Sequence, residues 1–571
     1  MTTTPFLFTF AAKGLQSYIM RGGKLRDMVG ATSLVDKLSD PERLTELLKD
    51  TFGIDPQNFK ILQAAAGGAR IKFDREADAH CVNQAWPLWC RAWAPDLEMV
   101  QDVRPMDGSF AAVSHAASEA LERARNFVFA RLPEAGPWMQ RAPRTGEPAV
   151  EKDHAADAEL IDEATRRKRA EREELRFAKT LPLAITAFGF NAIEEIPRDF
   201  EKVSGDERAY LAVIHADGNK LGQMFINVVQ ALKKEPLTSD LAAIDLLRYL
   251  SSEVVAEGTR EAVRKTMTKL RAYVVDQQDS ENTQRARDGQ PFKAEDPWPF
   301  APIVLAGDDV TLVCRADLGI SFAEEFLITF KAEMTKRLRK IQGEGFWSQL
   351  PEHVKEAVPS GLSAGAGIVF CNSRYPFSLA YELCESLAKQ AKDEAKKKAG
   401  DVPPSALSFV RITGSSAPTN FHDLVKGGIL QGADDTMLTG CPYFVDIDDS
   451  YQPRLSRLRA AAEAACPSTE TADSGNEEPR GLPRSSLRGL LHLQQTDPLS
   501  VPAAVTRMVD VAGSRAEAFK EAWVQLTEHD CKGTEWNNLR FSSLINDKRS
   551  PLLDMLTIHA VNCAPSLTPA P

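Results

Sequence analysis

The stretch PIVLAGDDVTLVC, residues 302–314, constrains the fold more than any other part of the chain. Two apolar β-type runs, Ile303–Leu305 and Val310–Cys314, are separated by a tight turn at Gly307-Asp308. That spacing predicts a β-hairpin. Its tip carries two adjacent carboxylates, Asp308 and Asp309, beside strands apolar enough to be buried. Paired acids next to a core are costly unless a cation neutralises them.

A third acid has a similar setting upstream. The apolar run Leu211–Ile214 leads to Asp217-Gly218-Asn219, where the β pattern breaks and a helical pattern, KLGQMF, begins. If the strands are sheet neighbours, Asp217, Asp308 and Asp309 converge on one edge. Hard oxygen ligands of this kind hold Mg²⁺ or Mn²⁺ ions roughly 3.5–4 Å apart in phosphoryl transfer to a hydroxyl. Glycine at 307 lets a triphosphate or base approach the backbone, which a Cβ would obstruct. Taken alone, Asp-Gly and Gly-Asp are ordinary turn dipeptides; their placement at the ends of strongly apolar strands gives them weight. His215 alternates onto the same face as Asp217, but a packed strand histidine is the simpler reading.

Around these motifs the order is strand, two helical stretches, the hairpin, a helix, the strand LSAGAGIVF, another helix and the strand SALSFVRITG. An α+β fold, a four-stranded sheet with its helices on one face, is the economical solution. The polar segment DQQDSENTQRARDGQ before the hairpin reads as an exposed loop. The first 135 residues read as a smaller α/β unit: a strand at Phe6–Phe10, a helix, two short strands flanking Ala65–Gly68, and a helix near SFAAVSHAASEALERAR. Residues 136–205 form a connector with a heavily charged stretch, including Arg166, Arg167, Lys168 and Arg169, expected to be a solvated helix laced with i to i+4 pairs. From residue 419 the pattern is helical, with a flexible loop expected at about 467–485.

With 571 residues the chain has room for several cores. Its net charge, 69 − 80 = −11, argues against coating nucleic acid through bulk charge and leaves room only for a local basic groove. Nine cysteines without a CxxC pair suggest neither a disulfide framework nor a structural zinc site, and point to a reducing cytoplasm. No run reaches the roughly 18 apolar residues of a spanning helix, so no membrane association is expected.

HADGNKLGQMF, LAGDDVTLVC, GLSAGAGIVFCNSRYPFSLAYELCESLAKQAK and SALSFVRITGSS together resemble the successive palm motifs of the large polymerase-like subunit of type III CRISPR effector complexes, a family related to the GGDEF-type nucleotide cyclases. GLQSYIMRGGKLRDMVGATSLVDKL followed by AAAGGARIKF is similar to that family's first, degenerate palm, whose hairpin lacks the acids, and LTGCPYFVDID with the late helices to its C-terminal helical domain. The resemblance implies two ferredoxin-like palm domains, at 1–135 and 206–418, the second catalytic, joined by the charged connector at 136–205 and followed by a helical domain at 419–571. It implies synthesis of cyclic oligoadenylates from ATP across the two palms, switched on by target RNA. Guide and target RNA would be held through other effector subunits.

Asp217, Asp308 and Asp309 carry over as catalytic, metal-binding acids for Mg²⁺ or Mn²⁺. Gly218, Gly307, Ser363 and Lys392 carry over as nucleotide contacts, Lys392 facing the triphosphate. A solvated place in a lysine-rich helix end is the competing reading of Lys392. Two other functions share the motifs: a non-catalytic scaffold for RNA, and a stand-alone cyclic-nucleotide synthase.

Three departures stand out. Ala306 replaces a glycine usual in the hairpin. The family's N-terminal nuclease, built on a His-Asp pair, is not expected; the His529-Asp530 dipeptide lacks the surrounding ligand pattern and reads as surface. The family's zinc-binding cysteines between the palms are missing, and RAPRTGEPAV in their place must hold its turn through proline, glycine and hydrogen bonds alone.

Overall fold

The computed structural model describes residues 4–65, 67–127, 136–153, 158–205, 210–234, 240–291, 298–398, 400–414, 418–445, 455–466, 482–513, 515–527 and 549–567. His529-Asp530 and most of the loop expected at 467–485 lie outside them; the helix Arg484–Thr496 begins at the loop's end. The chain forms two compact units. The first comprises Met1–Val203, Lys220–Val313 and Thr329–Leu362, the second Ser204–Asn219, Cys314–Ile328 and Ser363–Pro571.

In the first unit, β1 (Phe6–Lys13), β2 (Phe59–Ala65), β3 (Gly68–Phe73) and β4 (Glu98–Pro105) form a four-stranded sheet in the order β2-β3-β1-β4. β1 pairs antiparallel with both β3 and β4. The central strand is therefore the apolar FLFTFAAK, and Phe8 and Phe10 pack on Trp86 of the Glu76–Trp93 helix with ring centroids 5.8 and 4.3 Å away. Sequence reasoning passed over β4. Its residues Glu98, Gln101, Asp102 and Arg104 dilute the apolar signal, and it lies at a sheet edge.

The charged connector departs from expectation. After a small antiparallel pair, β5 (Glu151–Asp153) and β6 (Glu159–Ile161), the helix Glu163–Glu174 packs against the helix Leu25–Leu38. Lys168, Glu171 and Arg172 are buried rather than solvated. Each charge has partners, as burial demands. Lys168 donates to the Tyr18 carbonyl at 2.5 Å and lies 4.2 Å over the Tyr18 ring; burial pushes its pKa down to about 8. Glu171 accepts from Ser33 at 2.6 Å and pairs with Lys37 at 2.6 Å and Arg167 at 3.0 Å. Arg169 grips both oxygens of buried Asp27, at 2.8 and 3.2 Å, and also reaches Asp153 and Glu159. The helices cross so closely at Gly30 that a Cβ there would overlap the Lys168 carbonyl oxygen.

The RAPRTGEPAV turn closes through Ala142 N to Glu147 O, Gly146 N to Ala142 O and Ala149 N to Gln140 O, each 2.9 Å, with Gly146 at φ +75°. Hydrogen bonds are not the whole of it. Arg21 pairs with Glu147 and Arg144 with Glu159 at 2.5 Å, so ion pairs fasten the turn as well.

Also in the first unit, the segment DQQDSENTQRARDGQ is not a loop: the helix Glu257–Arg287 runs through most of it. Within that segment no glycine or proline precedes Gly289, which takes φ +69° just past the helix end. Side chains four apart support the exposed turns, Gln277 on Tyr273 at 2.5 Å and Gln284 on Asp288 at 3.3 Å.

The strands named so far are followed in chain order by β7 (Tyr210–Gly218), β8 (Phe300–Ala306), β9 (Asp309–Arg315), β10 (Ala364–Asn372), β11 (Ala406–Arg411) and β12 (Tyr443–Phe444). β8 and β9 are neighbours, confirming the hairpin, and in the second unit the order runs β12-β11-β10-β7. β10 is antiparallel to β7 and parallel to β11. The helix Phe377–Lys396 covers these strands, and Gly367 permits it: a Cβ there would run into the Cys384 carbonyl oxygen.

The C-terminal region is helical, as its periodicity predicts, with helices Leu455–Ala465, Arg484–Thr496, Val501–Ala512, Arg515–Thr527 and Leu552–Ala560. Asp554, fully buried in the last of these, fixes the segment before β12: its Oδ2 accepts from Tyr443 Oη at 2.7 Å, Thr439 Oγ1 at 3.0 Å and Gly440 N at 2.7 Å. Burial pushes its pKa up from 3.8 to about 7 despite these donors. The folded chain therefore holds this proton more tightly than the unfolded chain, and the stability it contributes is full in acid and lost as pH rises to about 7. In thermal melts between pH 5 and 8, Asp554→Asn is expected to remove that pH dependence, because the amide does not titrate, while its oxygen still accepts. Asp554→Ala, which strands three donors, is expected to melt lower throughout by several degrees or more, each orphaned donor costing about 1–3 kcal/mol.

Candidate functional site

In the second unit, β7 is buried from Leu211 to Ala216 and emerges at Asp217. Strand pairing places Asp217 opposite Gly365 of β10. The Lys392 ammonium, from the Phe377–Lys396 helix, is hydrogen-bonded to Asp217 Oδ2. Lys392 is thus neither free nor simply solvated. Its side chain is 15% exposed and that of Asp217 38%.

The turn after β7 is anchored by Asn219, buried, whose backbone N–H donates to the Ser363 carbonyl at 2.8 Å and whose Nδ2 donates to Ser363 Oγ at 2.9 Å. Ser363 is itself fully buried, so its hydroxyl holds the Asp217-Gly218-Asn219 turn. Gly218 ends β7, buried, opposite Ala364. His215 is 4% exposed and packs edge-on to Tyr381 with centroids 5.4 Å apart, the arrangement of a packed strand histidine.

In the first unit, the hairpin turns at Gly307, φ +66°, a left-handed conformation that favours glycine. Ala306 has no such requirement: it closes β8 outside the positive-φ region, so a methyl group fits where the resemblance expects glycine. Asp308 and Asp309 are half-buried at the tip. Gln16 of the Leu15–Met20 helix donates from Nε2 to Asp309 Oδ2 at 2.8 Å. Thr32 donates to the Ile303 carbonyl of β8, tying the hairpin to the Leu25–Leu38 helix. Gln16 steadies one of the two acids from 293 residues away, and no local signal carries such a contact.

Carboxylate oxygens fit a hard divalent ion in kind. They are not gathered into a cage: among the described residues no group of three or more His, Cys, Asp or Glu side chains is placed to hold a metal. Nor, among them, is any helix long and apolar enough to cross a membrane.

No protein-family model and no curated protein sequence matches the chain. Solved structures do. Csm1 in T.onnurineus superposes with a TM-score of 0.51 at 13% identity, over 98% of this chain and 69% of that one. The chain shares the Csm1 fold. A Csm1-Csm4 cassette in complex with cA4 and another in complex with one ATP each give a TM-score of 0.49 at 13% identity, over 98% of this chain and 70% of theirs. At such identity the likeness to Csm1 is one of architecture, and the site's chemistry must be argued from its residues.

Proposed function

We propose that the chain is a nucleotidyltransferase that makes cyclic oligoadenylates from ATP as the large subunit of a type III CRISPR effector, working with other subunits that hold guide and target RNA. The observation that carries this reading is the Ala306-Gly307-Asp308-Asp309 tip, two acids on a glycine turn, in a chain with the Csm1 fold and a further acid, Asp217, at the end of β7. The resemblance of the palm motifs supplies the substrate.

In this mechanism the 3′-hydroxyl of one ATP attacks the α-phosphate of another, and pyrophosphate leaves. Repetition and ring closure give the cyclic product. Asp217, Asp308 and Asp309 would hold Mg²⁺ or Mn²⁺, which when bound lowers the hydroxyl's pKa and neutralises the departing pyrophosphate. Gln16 fixes the rotamer of Asp309. Gly307 leaves room for a phosphate against the backbone, and Lys392 brings an ammonium suited to a triphosphate. Asn219 and Ser363 keep the Asp217 turn rigid, so that carboxylate meets substrate already oriented.

Purified chain, incubated with ATP and Mg²⁺ or Mn²⁺, is expected to yield cyclic oligoadenylates, detectable by mass spectrometry, when guide and target RNA are present and not when they are absent. Asp217→Asn should lower the yield at least a hundredfold, the scale of losing one electrostatic stabiliser of a transition state. Undiminished product from Asp217→Asn would remove that residue from the mechanism. Product from GTP, or without any RNA, would favour a stand-alone synthase.

A further inference from the structure

The disposition of Lys392, Gly365 and Asp217 carries a consequence beyond the reaction itself, and it rests on Asp217 being one of the acids that ligate metal. A charged side chain from the Phe377–Lys396 helix can reach an acid on β7 only where the helix lies tightly on β10. Two glycines of the strand allow this. At Gly367 a side chain would collide with the helix backbone, and at Gly365 a Cβ would stand 2.5 Å from Lys392 Cγ and 3.3 Å from Lys392 N. Gly365 is also the cross-strand partner of Asp217. The bare glycine thus forms a channel along which the Lys392 stem runs to the carboxylate, and its ammonium already rests on Asp217 Oδ2.

We infer that Lys392 is a built-in cation on Asp217, seated by Gly365, and that it competes with a divalent ion for this carboxylate. The ammonium takes up one of the carboxylate's two oxygens and its charge repels a divalent cation approaching either. The ammonium stem is flexible and Asp217 is 38% exposed, so exchange requires only a rotation of the lysine side chain, not an opening of the fold. With the ammonium in place, Asp217 is neutralised without substrate or metal. Once displaced, the same ammonium is available to an anionic ligand. Gly365 is a positioning residue that acts through Lys392.

The test is metal affinity in the absence of nucleotide, read from the free-Mn²⁺ paramagnetic resonance signal during titration of the full chain. Lys392→Met is expected to bind Mn²⁺ about tenfold more tightly than wild type, because a full positive charge next to the ligand has gone. Gly365→Ala, which pushes the lysine stem aside, should shift affinity in the same direction by about threefold, and Lys392→Arg, which keeps the charge, should stay within about twofold of wild type. In the double variant Asp217→Asn/Lys392→Met the gain should vanish. If Lys392→Met binds Mn²⁺ no more tightly than wild type while Asp217→Asn weakens binding, the lysine does not compete and the inference falls, with Asp217 still a ligand. If Asp217→Asn alters neither Mn²⁺ affinity nor ATP conversion, the proposed function's assignment of Asp217 is what has failed. Should Lys392→Met fail to fold, Lys392→Gln and Gly365→Ala give the same reading.

Discussion

Chain in which Asp308 and Asp309 are both alanine is expected to lose conversion of ATP by on the order of a thousandfold or more, the scale set when electrostatic stabilisers of a transition state are removed. The fold should survive. Gly307 still supplies the left-handed turn, β8 and β9 keep their apolar pairing, and two half-buried charges disappear from the tip. Melting temperature and far-ultraviolet circular dichroism check this directly. Asp309→Asn separates charge from packing, because an amide oxygen can still accept from Gln16 while the negative charge is gone. Activity lost in Asp309→Asn with an unchanged melt would assign the loss to charge. If the double alanine variant made product at the wild-type rate, the hairpin would not be catalytic and the assignment of Asp308 and Asp309 would fall.

The second large effect is structural. Helix propensity alone says that Gly30→Ala, in the interior of the Leu25–Leu38 helix, should stabilise by about 1 kcal/mol. The crossing geometry says the opposite. A methyl group at 30 overlaps the Lys168 carbonyl oxygen, so the Glu163–Glu174 helix must move away. Moving it loosens Arg169 from Asp27, Glu171 from Ser33 and Lys37, and Lys168 from Tyr18, leaving buried charges without partners. Breaking even one such buried pair costs about 3–5 kcal/mol, and overpacking adds about 1–3 kcal/mol. The loss outweighs the gain. Gly30→Ala is therefore expected to melt at least ten degrees below wild type or to be recovered only as aggregate. A melt at or above wild type would mean that the helices can separate without cost.

These two results draw on very different amounts of sequence information. The hairpin was readable because its signal is local: two apolar runs, a glycine and two acids lie within a dozen residues. The strands of LSAGAGIVF and SALSFVRITG were readable for the same reason. The contacts that give the acids their surroundings are not local. Gln16 and Asp309, or Lys392 and Asp217, meet only through tertiary folding, and nothing near Gln16 marks it. The charged connector misled because a run of arginines and glutamates is the usual signature of a solvated face, while here opposite charges on the Leu25–Leu38 helix answer it. The helix through DQQDSENTQRARDGQ misled because polar composition speaks to exposure and not to backbone state. Once the preceding turns exist, propagation needs little more than the absence of glycine and proline.

The bonds from Gln16 to Asp309 and from Thr32 to Ile303 also set an order in time. They join residues 293 and 271 positions apart. At about 5–20 residues per second of synthesis, the segment carrying Gln16 and Thr32 waits roughly 15–60 seconds for its partners to leave the ribosome. During that interval its helices face water or a chaperone. An expressed piece holding only the acid-bearing hairpin would lack the side chains that brace it, so a truncated chain meant for assay must keep the helices Leu15–Met20 and Leu25–Leu38 together with the hairpin.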